Sequence, residues 1–157
     1  MENENEYSQK SIEILDFISG TVALIVQRKQ DQTIIGEQSA KLKSIIENST
    51  HLFWTYDKDK GVTSSNRNFI KYIEETYNKN ADLNIKVNEK RRFSNEEQHI
   101  FWDKKYKEAF NGFSQYFISK KQNIKGDEIV KEVFLNPIYN TNGKIVEISG
   151  IANDITE

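Results

Sequence analysis

The 157-residue chain contains no cysteine, so it can form no disulfide, no thiolate zinc site, no thiol nucleophile and no cysteinyl-flavin adduct. Its two histidines, His51 and His99, are too few for a multi-histidine metal site, and we expect no metal. Lys and Arg number 22 against 24 Asp and Glu, a net charge of −2. A non-specific nucleic-acid binder would carry a basic excess, so no nucleic-acid partner is expected.

Long apolar runs are also absent. The most apolar stretch, residues 12–26, contains two acidic side chains and is shorter than the roughly 20 apolar residues that a membrane-spanning helix needs. The first residues are acidic, whereas a signal peptide begins with basic residues. These features predict a cytoplasmic protein without a membrane partner.

Residues 8–48 show helical periodicity. Two apolar stripes recur at helical spacing: Leu15, Ile18, Val22 and Ile25, then Ile35, Leu42 and Ile45. We expect a break or kink near residues 33–37, because Gly36 and the β-branched residues before it weaken a helix. Left uncovered, the first stripe would be an apolar patch of the kind that monomers avoid, so it predicts a homodimer joined through this helix.

The rest of the chain predicts an α+β fold with a five-stranded antiparallel sheet. The pattern favours strands at 51–57, 62–65, 113–119, 128–136 and 144–155. It favours helices at 66–77 and 95–112, with short helical turns and a loop over 78–94. Residues 140–143 supply tight-turn chemistry for the last hairpin. Pro137 lacks an N–H, so it should lie at a strand end or a bulge.

From about Leu42 to Glu157 the chain resembles a PAS domain. The ending NPIYNTNGKIVEISGIANDITE reads like the last hairpin of that family and closes on Asp154, Ile155 and Thr156. Asn66 is similar to the family's usual Asn at the start of its first helix. The resemblance implies a PAS domain over 42–157, with short helices on one face of the sheet. Residues 1–41 would then form a helical connector.

Residues 7–29 resemble the C-terminal helix of a GAF domain. Together the two resemblances are typical of multidomain bacterial sensor histidine kinases, in which a downstream output domain would be a partner. Two alternatives stay open: the regulatory domain of a cyclic-dinucleotide enzyme, and a ligand-free structural dimerisation module. Neither histidine precedes an acidic residue and no Gly-rich phosphate loop occurs, so we expect no catalytic residues and no enzyme activity in this chain.

In a PAS fold, the aromatic side chains after residue 66 would converge between helices and sheet. The candidates for a pocket that holds an unknown small molecule are Tyr72, Phe101, Trp102, Tyr106, Tyr116 and Phe134. The alternative is an ordinary aromatic core. The basic run 90–92 could neutralise an anionic ligand or form a solvated loop. Some PAS domains hold haem through a histidine on the helix that would carry His99, but a single residue is weak support. We expect no haem, no non-covalent flavin and no other cofactor.

Asp154 and Thr156 lie where the resemblance places the exit to a downstream helix. Both residue types cap helices, because their side-chain oxygens accept hydrogen bonds from free N–H groups. Asp154 could also pair with a basic residue at the base of the sheet. We therefore predict that these two residues relay the signal from the sheet to the exit helix and are not needed to hold the fold together.

Overall fold

The computed structural model describes residues 2–77, 96–123 and 125–156. The turns and loop predicted over 78–94, including the basic run 90–92, lie outside the described residues. The chain divides into two compact units, Met1–Ile45 and Ile46–Glu157.

Helix α1 spans Glu2–Glu47 without interruption. The break expected near residues 33–37 is therefore wrong, and the kink stays a prediction. A helical glycine weakens a helix by about 1 kcal/mol but keeps its N–H, so the hydrogen-bond ladder can continue through Gly36. The Thr33 hydroxyl donates to the carbonyl of Lys29, four residues earlier in the same helix, at 2.9 Å. In the described part of the chain, no helix is both long and apolar enough to cross a membrane.

The second unit contains five strands and two further helices. The strands are β1 (Leu52–Asp57), β2 (Gly61–Ser65), β3 (Gln115–Gln122), β4 (Glu128–Tyr139) and β5 (Ile145–Asp154). The helices are α2 (Arg67–Tyr77) and α3 (Glu96–Phe110). The strands form one sheet in the order β2-β1-β5-β4-β3, and every neighbouring pair is antiparallel. The predicted α+β class and five-stranded antiparallel sheet are confirmed.

Among the strand boundaries that differ from the prediction, two have clear local reasons. Strand β3 starts two residues late, because Phe113 still donates its N–H to the Glu108 carbonyl in the turn that ends α3. Gly112 takes a positive φ of 96° there, which glycine adopts at little cost. Pro137 lies within β4, beyond the last residue that pairs with β3 and just before a register shift. Its missing N–H therefore costs β4 no bond to β3.

Alternation along the strands gives the sheet one covered face, called here the inner face. Helices α2 and α3 pack their apolar side chains on it, in a cluster with the buried residues of the strands. The most deeply buried side chains of that face are Val133, Leu135 and Ile148. Trp54 lies flat over Gly150, where an added Cβ would come within 2.0 Å of the indole. Only glycine therefore leaves room for this ring.

Candidate functional site

A cavity of about 60 Å³ lies between the inner face and helices α2 and α3, and we call it the inner cavity. Its described lining combines aromatic, aliphatic and polar side chains. These are Leu52, Trp54, Phe69, Tyr72, Ile73, Gln98, Trp102, Tyr106, Ser119, Lys121, Lys131, Val133 and Ala152. A cavity needs about 10–15 Å³ to hold one water, so this one can hold a few waters or a very small ligand.

Aromatic contacts fix one wall of the inner cavity. The indole N–H of Trp54 donates to the hydroxyl of Tyr106 at 2.7 Å. Trp54 also stacks on Phe69, with ring centroids 5.1 Å apart. Trp102 meets Phe117 edge to face, also at 5.1 Å. Such pairs hold rings in defined positions, so the cavity has a preformed shape.

Three of the six predicted pocket residues line the inner cavity: Tyr72, Trp102 and Tyr106. The other three are not among the residues that line it. Tyr116 and Phe134 are a cross-strand pair on the outer face of the sheet, with ring centroids 4.9 Å apart. They alternate with the inward-facing Phe117 and Val133, so strand periodicity turns them away.

Phe101 is the third residue outside the inner cavity. It is 40% exposed and packs edge to face against Phe117, with centroids 5.1 Å apart. The adjacent Trp102 takes the position on α3 that faces the cavity, and consecutive helical residues point in different directions. Whether each of these six rings lines the cavity depends on the face of the sheet or helix from which it projects.

A charged side chain of the sheet, Lys131, also lines the inner cavity. Lys131 is only 8% exposed, and its Nζ forms a salt bridge of 2.8 Å with Oδ2 of Asp154, the residue opposite it on β5. The same Nζ lies 4.7 Å from the ring centroid of Tyr72. Burial raises the pKa of the Asp154 carboxyl, but hydrogen bonds from Lys131 and Thr156 outweigh that effect and lower the pKa to about 2. Asp154 therefore stays ionised at neutral pH.

The predicted relay residues hold the end of the chain against β4. Oδ1 of Asp154 accepts hydrogen bonds from the hydroxyl and the N–H of Thr156, at 2.6 and 3.0 Å. The Thr156 hydroxyl oxygen accepts from the N–H of Val130 at 3.0 Å, and the N–H of Ile155 donates to the Val130 carbonyl at 2.9 Å. The basic partner proposed for Asp154 is Lys131. Whether these residues relay a signal stays a prediction.

Asn66 joins the first strand to the start of α2. It is fully buried, and its Oδ1 accepts from the N–H groups of Phe53 (3.1 Å) and Phe69 (3.0 Å). Its Nδ2 donates to the carbonyls of Ile46 (3.0 Å) and His51 (2.9 Å). Asn66 is therefore the N-cap of α2, a position that asparagine favours. The two further bonds to Ile46 and His51 fix the backbone that leads into β1.

Sequence reasoning missed the polar lining of the inner cavity: Gln98, Ser119, Lys121 and Lys131. The sequence did indicate Lys131, because side chains alternate along a strand and Lys131 falls on the same side of β4 as the apolar Val133 and Leu135. A lysine on the core-facing side of a strand is unusual and indicates a paired or functional charge.

His99 and the metal prediction concern a different part of α3. His99 is half-buried and is not among the described residues that line the inner cavity. Among residues 2–77, 96–123 and 125–156, no group of three or more His, Cys, Asp or Glu side chains could hold a metal ion. The haem and metal predictions therefore stay as predictions.

No protein-family model and no curated protein sequence matches the chain. Solved structures do match it. The PAS domain of an HTR-like protein from Haloarcula marismortui has a TM-score of 0.54 and 18% identity, over 81% of this chain and 99% of that one. A domain assigned to a light and redox sensing histidine kinase of the same organism has a TM-score of 0.54 and 18% identity, over 74% and 99%.

Vibrio cholerae VqmA, a dimer with a DNA target, has a TM-score of 0.59 and 12% identity, over 74% of this chain and 51% of VqmA. The chain thus spans about half the length of VqmA. VqmA has also been solved bound to DPO. At these identities, the likeness establishes the fold: the strand order, the antiparallel sheet and the helices on its inner face form a PAS fold.

Proposed function

We propose that this chain is a PAS sensory or relay module of a multidomain signalling protein. The observation that carries the proposal is the inner cavity together with Lys131. This one side chain lines the cavity and also holds Asp154, at the end of the last strand. A structural change inside the cavity can therefore reach the C-terminal residues through the contact between Lys131 and Asp154.

The mechanism would be a population shift between two arrangements of the Lys131–Asp154 pair. With the pair intact, Asp154 and Thr156 keep the chain end bonded to Val130 of β4. A ligand that draws the Lys131 ammonium into the cavity would weaken that attachment. A ligand can shift the equilibrium only as far as its affinities for the two arrangements differ.

The parent protein we favour is a sensor histidine kinase. This rests on the match to a domain of the Haloarcula marismortui histidine kinase and on the resemblance of residues 7–29 to a GAF helix. In the intact parent, Asp154→Ala should change output activity while the affinity for any ligand stays nearly the same. Unchanged output, combined with a large loss of domain stability, would make Asp154 a structural residue.

A ligand screen tests the sensory role. The indole N–H signals of Trp54 and Trp102 report directly on the inner cavity, and both residues line it. Native mass spectrometry would show a copurified small molecule, and NMR would follow these signals through a library of metabolites. We expect saturable shifts that Ala152→Val abolishes, because its added methyl groups fill the cavity. Ser149→Val, on the opposite face of the same strand, should leave them intact.

The absence of any copurified molecule and of any saturable shift would contradict the sensory role. That result would favour the second candidate, a ligand-free dimerisation module. The observation behind this candidate is the stripe of Leu15, Ile18, Val22 and Ile25, whose side chains are all exposed on α1. Pairing two helices would bury it, and each well-buried Leu or Ile contributes about 1.5–3 kcal/mol.

Sedimentation velocity tests the dimer independently of any ligand. The intact chain should form a homodimer that Leu15→Glu combined with Val22→Glu weakens strongly. Glu13→Gln combined with Asp16→Asn is the matched control, because it changes charge on the same helix without entering the stripe. Dimers of equal strength in all three proteins would exclude the stripe as the interface.

A further inference from the structure

A second pattern of apolar residues runs along α1, at positions that the stripe of Leu15, Ile18, Val22 and Ile25 does not include. Steps of three and four residues alternate from residue 14 to residue 45, and this spacing keeps side chains on one face of a helix. In chain order these positions hold Ile14, Phe17, Thr21, Leu24, Arg28, Asp31, Ile35, Gln38, Leu42 and Ile45. We call this set the seam. Its apolar members are all more than half exposed.

The length of the seam favours a coiled coil. Helix α1 is continuous over Glu2–Glu47, so all ten seam positions lie on one helix. The seam covers roughly four and a half heptads, and apolar heptads sustained over about three or four are typical of coiled coils. At 1.5 Å per residue it is about 47 Å long. Both glycines of α1, Gly20 and Gly36, fall outside it.

The seam has the same chemical order from either end. Counted inward from its two ends, apolar positions match apolar ones, an uncharged polar position matches another, and a basic position matches an acidic one. The pairs are Ile14 with Ile45, Phe17 with Leu42, Thr21 with Gln38, Leu24 with Ile35, and Arg28 with Asp31. All of them are centred on the same point, between residues 29 and 30. A two-fold axis through that point therefore brings every pair together between two antiparallel helices.

The central charged pair distinguishes the two possible orientations. In antiparallel copies, Arg28 of each helix lies opposite Asp31 of the other, so the seam contains two pairs of opposite charge. In parallel copies each residue lies at the level of its own counterpart, which places like charges together within the seam. Both side chains are exposed. Oδ1 of Asp31 accepts a hydrogen bond from the Gln27 amide at 3.1 Å, and a carboxylate can accept further bonds from a guanidinium.

We propose that α1 pairs with α1 of a second copy of this chain, as an antiparallel two-stranded coiled coil along the seam. The inference goes beyond the proposed function and does not depend on any ligand. The seam and the stripe lie on adjacent sides of α1. Copies that pair along the seam therefore leave the stripe available for the contact tested above.

Disulfide crosslinking tests the orientation, because the chain has no cysteine of its own. Leu24→Cys and Ile35→Cys are prepared as two full-length variants and equilibrated in a glutathione redox buffer, each alone and as a mixture. In the antiparallel coil, residue 24 of one copy lies opposite residue 35 of the other. Two copies of residue 24 are then about 16 Å apart along the axis. A disulfide needs Cα atoms within about 7 Å.

We expect a disulfide between one copy of each variant in the mixture, identified by mass spectrometry, and none in either variant alone. Crosslinking of either variant with itself would indicate parallel helices and overturn the proposal. The absence of a crosslink from the mixture would overturn it as well.

Charge reversal at the centre of the seam tests the pairing of Arg28 with Asp31. Arg28→Asp and Asp31→Arg each place like charges opposite one another, so each should weaken association at least tenfold in sedimentation velocity. Their equimolar mixture should regain the wild-type strength, because opposite charges then meet again at both layers. Lys29→Asp is the matched control, since it makes the same charge change one residue outside the seam, and it should leave association within about twofold of wild type. Wild-type association of Arg28→Asp, or a mixture as weak as its components, would overturn the proposal.

Discussion

Replacing Asn66 by alanine tests how the PAS fold is anchored where the chain enters it. The amide of Asn66 makes four hydrogen bonds from a fully buried position: two accepted from Phe53 and Phe69, and two donated to Ile46 and His51. All four partners are backbone groups. Alanine would leave each of them without this bond, in a place that water cannot easily reach.

The expected cost follows from that number of bonds. A buried hydrogen bond contributes about 0.5–1.5 kcal/mol net, so losing four lowers the free energy of unfolding by about 2–6 kcal/mol. Domains of this kind are stable by about 5–15 kcal/mol, so the loss is a large fraction of the total. Asn68→Ala is the matched control, because Asn68 is only half-buried and makes one bond of this kind, to the Ser49 carbonyl at 2.6 Å. It should cost about 0.5–1.5 kcal/mol.

Urea unfolding followed by tryptophan fluorescence measures both variants. The two tryptophans, Trp54 and Trp102, belong to the Ile46–Glu157 unit, so the signal reports on that unit alone. If Asn66→Ala cost no more than Asn68→Ala, the anchoring role would be refuted.

Three further predictions concern the Asp154 carboxyl, the packing at Gly150 and haem. The Asp154 carboxyl has a pKa of about 2 in the folded chain, below its ordinary 3.8, so its pair with Lys131 stabilises the fold above pH 3.8 and this contribution is lost as the pH falls from 3.8 toward 2. Urea melts in that window should show a larger loss for wild type than for Asp154→Asn, and equal losses would contradict the assignment. Gly150→Ala should cost about 1–3 kcal/mol or more and lower the melting temperature, because the new methyl group forces the Trp54 indole to move; an unchanged melting temperature would show that the indole is not fixed. Haem added to the purified protein should give no stoichiometric Soret band, and such a band, abolished by His99→Ala, would contradict this prediction.

Local signals predicted most elements of the fold. The turn between the first two predicted strands is an example: Oδ1 of Asp57 accepts from the N–H groups of Asp59 and Lys60 at 2.8 and 2.9 Å, and Gly61 has a φ of 86°. Asn66 likewise caps α2, as its residue type indicated. These features depend on neighbours within a few residues, so the sequence carries their information directly.

The prediction of a broken α1 failed because glycine and β-branched residues only weaken a helix, and propensity alone does not say where a helix ends. The sequence did not separate the six aromatic pocket candidates from one another, and the reason is different. Tyr72, Trp102 and Tyr106 share the inner cavity, whereas Tyr116 and Phe134 lie behind the sheet, and composition does not distinguish these positions.

By itself, the sequence determined the antiparallel α+β fold and its turns, because alternation, capping and turn residues act locally. The tertiary structure decided which residues form the site. Register between strands that are distant in sequence places Ser119, Lys131 and Asp154 in one row. The packing of α2 and α3 then leaves about 60 Å³ unfilled beside two buried ammonium groups. A cavity is what remains when side chains from several elements fail to meet, so no single segment of the sequence specifies it.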